Sequence, residues 1–133
     1  MALTLDDGPD PATTPAILDG LDRLGCRATF FLIGERAAAA PDLVAEIDAR
    51  GHEIGHHMWR DRASARLEAV ELTAAMDRTL AALAPAGRPR WLRPGLGAPT
   101  ARLVAEAEAR GMRVVGGDVP PLDTHLPVPW LVA

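Results

Sequence analysis

Short apolar runs alternate with segments of helical periodicity along most of this chain. Met1 to Leu5 reads as a strand. Thr14 is placed as an N-cap with Pro15 at the first helical position, and Ile17, Leu18, Leu21 and Leu24 follow at helical spacing until Gly25. Ala28 to Ile33 is apolar throughout apart from Thr29, as expected of a buried parallel strand. Pro41 opens a second helix with Leu43, Val44 and Ile47 on one face, closed by Gly51. Glu53 to Gly55 predicts a short third strand. Leu72, Met76, Leu80 and Leu83 mark a longer helix, from about Leu67 to Ala84. Pro85 to Pro89 is a turn, Trp91 to Arg93 a strand, Thr100 to Arg110 a helix and Met112 to Gly116 another strand. Such alternation predicts a parallel sheet or barrel with functional loops at the carboxyl ends of the strands. Val119 to Ala133 is rich in proline and yields no final element.

Composition narrows the possibilities. The chain has 133 residues, enough for one domain with a real core. Its formal net charge of −4 gives no basic footprint for nucleic acid. No stretch is long and apolar enough to predict a transmembrane segment. With Met1 followed almost at once by a strand, no signal peptide is expected. Cys26 is the single cysteine, which excludes an internal disulfide and a cysteine-based zinc knuckle; it is expected to be buried at the start of a strand.

The polar residues collect where the strands end. Asp6 and Asp7 follow the first strand, His56 and His57 the third, Arg93 the fourth, and Asp118 and Asp123 the fifth. Adjacent carboxylates are costly unless a metal or an arginine compensates them. Successive residues of an extended chain point to opposite sides, so one carboxylate can hold a metal while the other faces its water as a base. An ordinary Asp-Gly-Pro turn is the alternative. His57 and Asp61 are four residues apart, and one helical turn would put them on the same side. With Asp7 they would supply three ligands and leave a position for water, as catalytic metal sites do. A satisfied His beside a strand end, with Asp61 pairing to Arg60 or Arg62, is the alternative there. His52 and His56 are read as structural, His52 by hydrogen bonding to backbone and His56 by pointing away from its neighbour.

These residues, in this order, resemble the polysaccharide deacetylase or NodB-homology domain of carbohydrate esterase family four. The family's first motif, Thr-Phe-Asp-Asp-Gly, stands here as Thr4-Leu5-Asp6-Asp7-Gly8. Its strand-two phrase stands as Ala28-Thr29-Phe30-Phe31, followed by Ile33-Gly34-Glu35. Its second motif, typically Gly-His-Glu-Ile-Gly-Asn-His-Thr-x-x-His, stands as Gly51 through Asp61. Its third, Arg-Pro-Pro-Tyr-Gly, stands as Arg93-Pro94-Gly95-Leu96-Gly97. The fold implied is a distorted parallel β/α barrel, here with its C-terminal strands missing.

The resemblance also implies roles. Asp6 matches the general base, Arg93 the arginine that holds the base carboxylate in place, and Leu96 the position whose backbone N–H helps stabilise the oxyanion. Asp7, His57 and Asp61 match the ligands of one divalent ion. Trp59 is read as lining the substrate site, as are Asp123 and His125, for which an ordinary turn is the simpler alternative. The implied chemistry is metal-dependent removal of N-acetyl groups from an acetylated amino-sugar glycan of chitin or peptidoglycan type. Asp61 stands where most members have a second His. An Asp-His-Asp set is harder than Asp-His-His, so it favours zinc less strongly and tolerates manganese, cobalt or magnesium better. The fourth motif is matched only loosely, by Asp118 to Asp123, with Asp123-Thr124-His125-Leu126-Pro127 fitting one branch. The fifth motif, Leu-x-His, which carries the general acid, is absent. The alternative is therefore a truncated or degenerate member without catalysis that still binds metal or glycan.

Overall fold

The computed structural model describes residues 2–63, 66–95 and 99–116. The elements run β1 (Thr4–Gly8), α1 (Thr14–Arg23), β2 (Thr29–Leu32), α2 (Gly34–Ala39), α3 (Pro41–Ala49), β3 (Glu53–His56), α4 (Ala69–Leu83), β4 (Trp91–Leu92), α5 (Ala101–Ala109) and β5 (Arg113–Val114), with a 3-10 turn at Ala84–Ala86 after α4. The strands form one parallel sheet in the order β1-β2-β3-β4-β5. The short strands and helical crossovers follow from the pattern: brief apolar runs bounded by glycine, proline and cap residues. Pro15 sits in the first turn of α1, and in the turn just before it the Asp10 carboxylate accepts the N–H groups of Ala12 and Thr13 at 2.8 and 3.1 Å. Thr13, not Thr14, is the N-cap. Glu68 and Glu71 form a capping box on α4, and Thr100 accepts the Leu103 N–H at 3.2 Å on α5.

One face of the sheet is apolar and packs on the helices. Phe30, Leu32 and Ile54 join Leu18 and Leu21 of α1 and Val44 and Ile47 of α3 in one buried cluster. Leu92 joins Leu72 and Met76 of α4, Leu103 and Ala107 of α5, and Met112 in a second. Each fully buried aliphatic side chain contributes about 1.5–3 kcal/mol, so these clusters carry most of the stability. His56 also points to this face. Its Nε2 donates to the Met76 carbonyl at 3.3 Å and its Nδ1 accepts the Met58 N–H at 3.1 Å, while burial pushes its pKa down to about 4. His52 Nδ1 accepts the Ala28 N–H at 3.3 Å.

The opposite face carries the alternate residues: Thr4 and Asp6, Thr29 and Phe31, Glu53 and Gly55, Trp91 and Arg93. It is largely polar. Thr29 and Trp91 donate to the Glu53 carboxylate at 3.2 and 2.9 Å. Higher up, Arg93 donates to Thr4 Oγ1 at 2.9 Å and to Asp6 Oδ1 at 2.7 Å. Three strand spacings in a flat sheet would put β4 about 14 Å from β1. One side chain bridges them here, so the sheet is curled and this face is the inside of a distorted β/α barrel.

Two expectations fail outside the site. Cys26 is exposed, because the chain between Gly25 and β2 runs over the surface. The alanine-rich stretch around Ala37 forms α2, a helix the spacing did not predict, since six residues hold too few apolar positions for a period.

Candidate active site

The Asp6-Asp7 pair owes its geometry to a bulge. The β1–β2 register shifts between Asp6 and Gly8, and Asp7 takes a φ of 67°. The left-handed region is unusual for a residue with a Cβ, although Asp tolerates it better than most. The two carboxylates are therefore not split by simple alternation. Asp6 faces the barrel interior and Asp7 is turned at the rim toward His57. Arg36 of α2 donates to the Asp7 carbonyl at 2.5 Å, and the Ile33 N–H donates to the Gly8 carbonyl at 2.8 Å, holding the bulge between them.

His57 follows β3, with its N–H donating to the Leu32 carbonyl at 3.0 Å. The residue is 5 % exposed. Nδ1 donates to the backbone carbonyl of Arg93 at 2.7 Å, and Nε2 stands 3.3 Å from Asp7 Oδ1. A carbonyl oxygen only accepts, so in the neutral ring Nε2 presents a lone pair toward a carboxylate oxygen. Two such lone-pair donors facing each other fit a cation, and a histidine fixed by backbone on its other nitrogen is the usual support of a metal ligand. Asp7 and His57 thus fit a divalent ion. Met58, the next residue, has a φ of 65°. Asp7 and Met58 are the two non-glycine residues with positive φ among the described residues, and they flank this pair.

Asp61 does not join them. The chain from Trp59 to Arg62 is a bend, not a helical turn, because Met58 leaves helical backbone immediately after His57. The one-turn spacing argument therefore fails. Asp61 is exposed, and no group of three or more His, Cys, Asp or Glu side chains gathers to hold a metal among the described residues.

Arg93 organises the other half of the site. Besides Thr4 and Asp6 it reaches the Gly116 carbonyl, at 3.0 Å through Nη2. Its guanidinium lies 4.2 Å above the Phe31 ring. Phe31 is 2 % exposed yet belongs to neither apolar cluster. It is buried on the inner face, between this guanidinium and Gly55. A Cβ on Gly55 would come within 2.4 Å of the Phe31 ring, so only glycine lets the ring lie flat there. Thr4, Phe31, Arg36 and Gly55 were not singled out as functional from the sequence. The available signal was the period-two register, which places Thr4, Phe31 and Gly55 on the same face as Asp6 and Arg93.

Trp59 is half-buried with the Arg78 guanidinium 4.1 Å over its ring. Leu96, Asp123 and His125 lie outside the described residues.

Known proteins resemble this chain in sequence and fold. The chitooligosaccharide deacetylase of Bradyrhizobium sp. (strain ANU 289) is 35% identical over 130 residues, covering 94% of this chain and 58% of that protein. The peptidoglycan-N-acetylmuramic acid deacetylase PdaC of Bacillus subtilis (strain 168) is 42% identical over 71 residues, 53% of this chain and 15% of that protein. A family 4 carbohydrate esterase from Streptomyces lividans, solved in complex with acetate, superposes with a TM-score of 0.89 at 31% identity, covering 94% of this chain and 66% of that one. The chain thus spans little more than half the length of the first of these relatives. The family model for polysaccharide deacetylase matches residues 1–115. With that match, the parallel barrel and the paired carboxylates at the end of β1, the chain belongs to the polysaccharide deacetylase family.

Proposed function

We propose that this chain carries a metal-dependent site for hydrolysing N-acetyl groups on amino-sugar polymers or oligomers of chitin or peptidoglycan type. The observation behind it is the His57 ring, pinned by the Arg93 carbonyl and aimed at the Asp7 carboxylate 3.3 Å away. Asp7 and His57 would hold the ion, with Asp61 the candidate third donor by its place in the sequence alone. Zinc, cobalt and manganese all suit such a set. When bound, the ion polarises the acetamide carbonyl and lowers the pKa of water.

The chain's own residues do the rest. Asp6 accepts a proton from the attacking water. Arg93, at 2.7 Å, keeps that carboxylate oriented at the mouth of the barrel. Thr4 and the Gly116 carbonyl anchor the guanidinium from two other sides, so Asp6 is met by a group that does not swing. Leu96 is proposed to offer its backbone N–H to the developing oxyanion. The water oxygen bonds to the acetamide carbon; as the C–N bond breaks, the proton taken by Asp6 passes to the leaving nitrogen, giving acetate and the free amine.

The test is metal binding by titration calorimetry, followed by acetate release from an acetylated chitooligosaccharide. Metal binding that His57→Ala and Asp7→Asn both abolish is expected, together with metal-dependent acetate release that Asp6→Asn removes. Metal affinity indifferent to His57 and Asp7 would overturn the proposal.

A further inference from the structure

A cavity of about 250 Å³ lies beside the site, between the segment that follows His57 and α4. Its walls include Met58, Trp59, Arg60 and Arg62 from that segment and Glu71 and Arg78 from α4. The His57 segment borders it, and the Arg93 segment packs behind one of its walls. Met58 follows His57 directly. The backbone of Gly95, two residues past Arg93, packs on that of Arg62; a Cβ there would come within 3.3 Å of the Arg62 carbonyl oxygen.

Three guanidiniums and one carboxylate line this space, in a chain whose formal net charge is −4. Two of those four charges are already engaged. Arg60 pairs with Glu35 at 2.8 Å. Glu71 accepts the Glu68 N–H at 3.2 Å as part of the capping box. Arg62 and Arg78 make no ion pair among the described residues. The Arg78 guanidinium carbon lies 4.1 Å from the centre of the Trp59 ring, a cation–π contact that steadies the guanidinium without consuming its N–H edge. A planar guanidinium presenting that edge is matched best by a carboxylate. The volume falls below that of pockets enclosing a whole ligand, so it suits one substituent of a glycan lying across the surface.

We propose that this cavity is a subsite for a carboxylate-bearing amino sugar. It gives the chain a preference for peptidoglycan glycan whose muramic residues have lost their stem peptides and so carry a free lactyl carboxylate, over neutral chitin. The inference rests on the deacetylase reading above and names the substrate class of that site. Chitin offers Arg62 and Arg78 nothing to neutralise.

Binding to the chain is measured by calorimetry with two tetrasaccharides of equal length: a peptidoglycan fragment stripped of stem peptides, and chitotetraose. The acidic fragment is expected to bind at least tenfold tighter, with a preference that shrinks as salt rises from 50 to 300 mM and the Debye length falls from about 14 to about 6 Å. The Arg62→Gln, Arg78→Gln double variant is expected to bind both fragments alike. Arg102→Gln, an exposed change on α5, should leave the preference intact. Thermal melts of each variant separate a lost subsite from a lost fold. Equal affinity for the two fragments, an undiminished preference in a folded double variant, or binding of neither fragment would each overturn the subsite. The deacetylase reading is tested apart from it, by loss of metal binding in His57→Ala, so intact metal binding without acidic preference defeats the subsite alone.

Discussion

The guanidinium of Arg93 lies 4.2 Å above the ring of Phe31, and the same guanidinium binds the Asp6 carboxylate at 2.7 Å. An aromatic face under a cation contributes about 0.5–2 kcal/mol and, more to the point, fixes its plane. Phe31→Leu keeps the volume nearly constant and removes the flat support. It is expected to lower kcat roughly 10- to 100-fold, because small misplacements of a positioned group are costly. Metal affinity should stay within threefold, since Asp7 and His57 are untouched. Unchanged kcat in a folded Phe31→Leu protein would remove Phe31 from the positioning of Arg93.

Gly55 makes that arrangement possible. Gly55→Ala would place a Cβ 2.4 Å from the buried Phe31 ring, whose other face is closed by Arg93. A destabilisation of about 1–3 kcal/mol is expected, as for other overpacked interiors. Thermal denaturation measures it directly. A melting temperature equal to that of the parent chain would show that the ring has room to move.

Arg93 serves the site with two separate groups. Its side chain holds Asp6, while its backbone carbonyl holds His57. Arg93→Met removes the first and keeps the second. The rate of acetate release is expected to fall about 10²-fold or more, with metal affinity nearly unchanged. Equal loss of metal would mean that the side chain shapes the whole loop.

Metal ligation divides unequally among the candidates. His57→Ala should weaken binding more than 100-fold, beyond the range typical of residues that only support a ligand. Asp61→Asn should cost less, because Asp61 is exposed and stands apart from the Asp7–His57 pair. Calorimetric titration of the two variants with manganese and zinc decides the order. A larger loss at Asp61 would mean that the bend after Met58 rearranges around the ion.

Acid stability should depend on Glu53. Burial works against its charge, but hydrogen bonds from Arg90, Trp91 and Thr29 outweigh that and hold its pKa below the ordinary 4.5. The folded state therefore binds a proton less readily than the unfolded chain. The stability this supplies is present above pH 4.5 and is lost as pH falls through the lowered folded value. Glu53→Gln should melt below the parent chain at pH 6, with the gap narrowing toward pH 3. A gap independent of pH would assign the effect to packing.

Much of this molecule is local and legible in its amino-acid sequence. The helices around Leu18 and Leu21, Val44 and Ile47, and Leu72 and Met76 follow from spacing, because a buried stripe must recur at 3.6 residues. The strand ends that gather Asp6, Asp7, His57 and Arg93 follow from the alternation of elements, because parallel strands share one functional end. The motifs around those residues are enough to point to the family. What tertiary structure alone decided is long-range or depends on backbone conformation. The motifs imply that Arg93 holds Asp6, 87 residues away, but no local pattern announces that the same guanidinium also reaches Thr4, 89 residues away. None reveals that its backbone oxygen selects the His57 tautomer, or that Phe31, one residue from a core phenylalanine, lies under a cation on the opposite face. The bulge at Asp7 and the positive φ of Met58 overturned two arguments from ideal geometry, alternation at the carboxylates and a helical turn from His57 to Asp61. Periodicity assumes regular backbone, and the residues nearest the chemistry are where contacts from other strands and helices hold the backbone away from it.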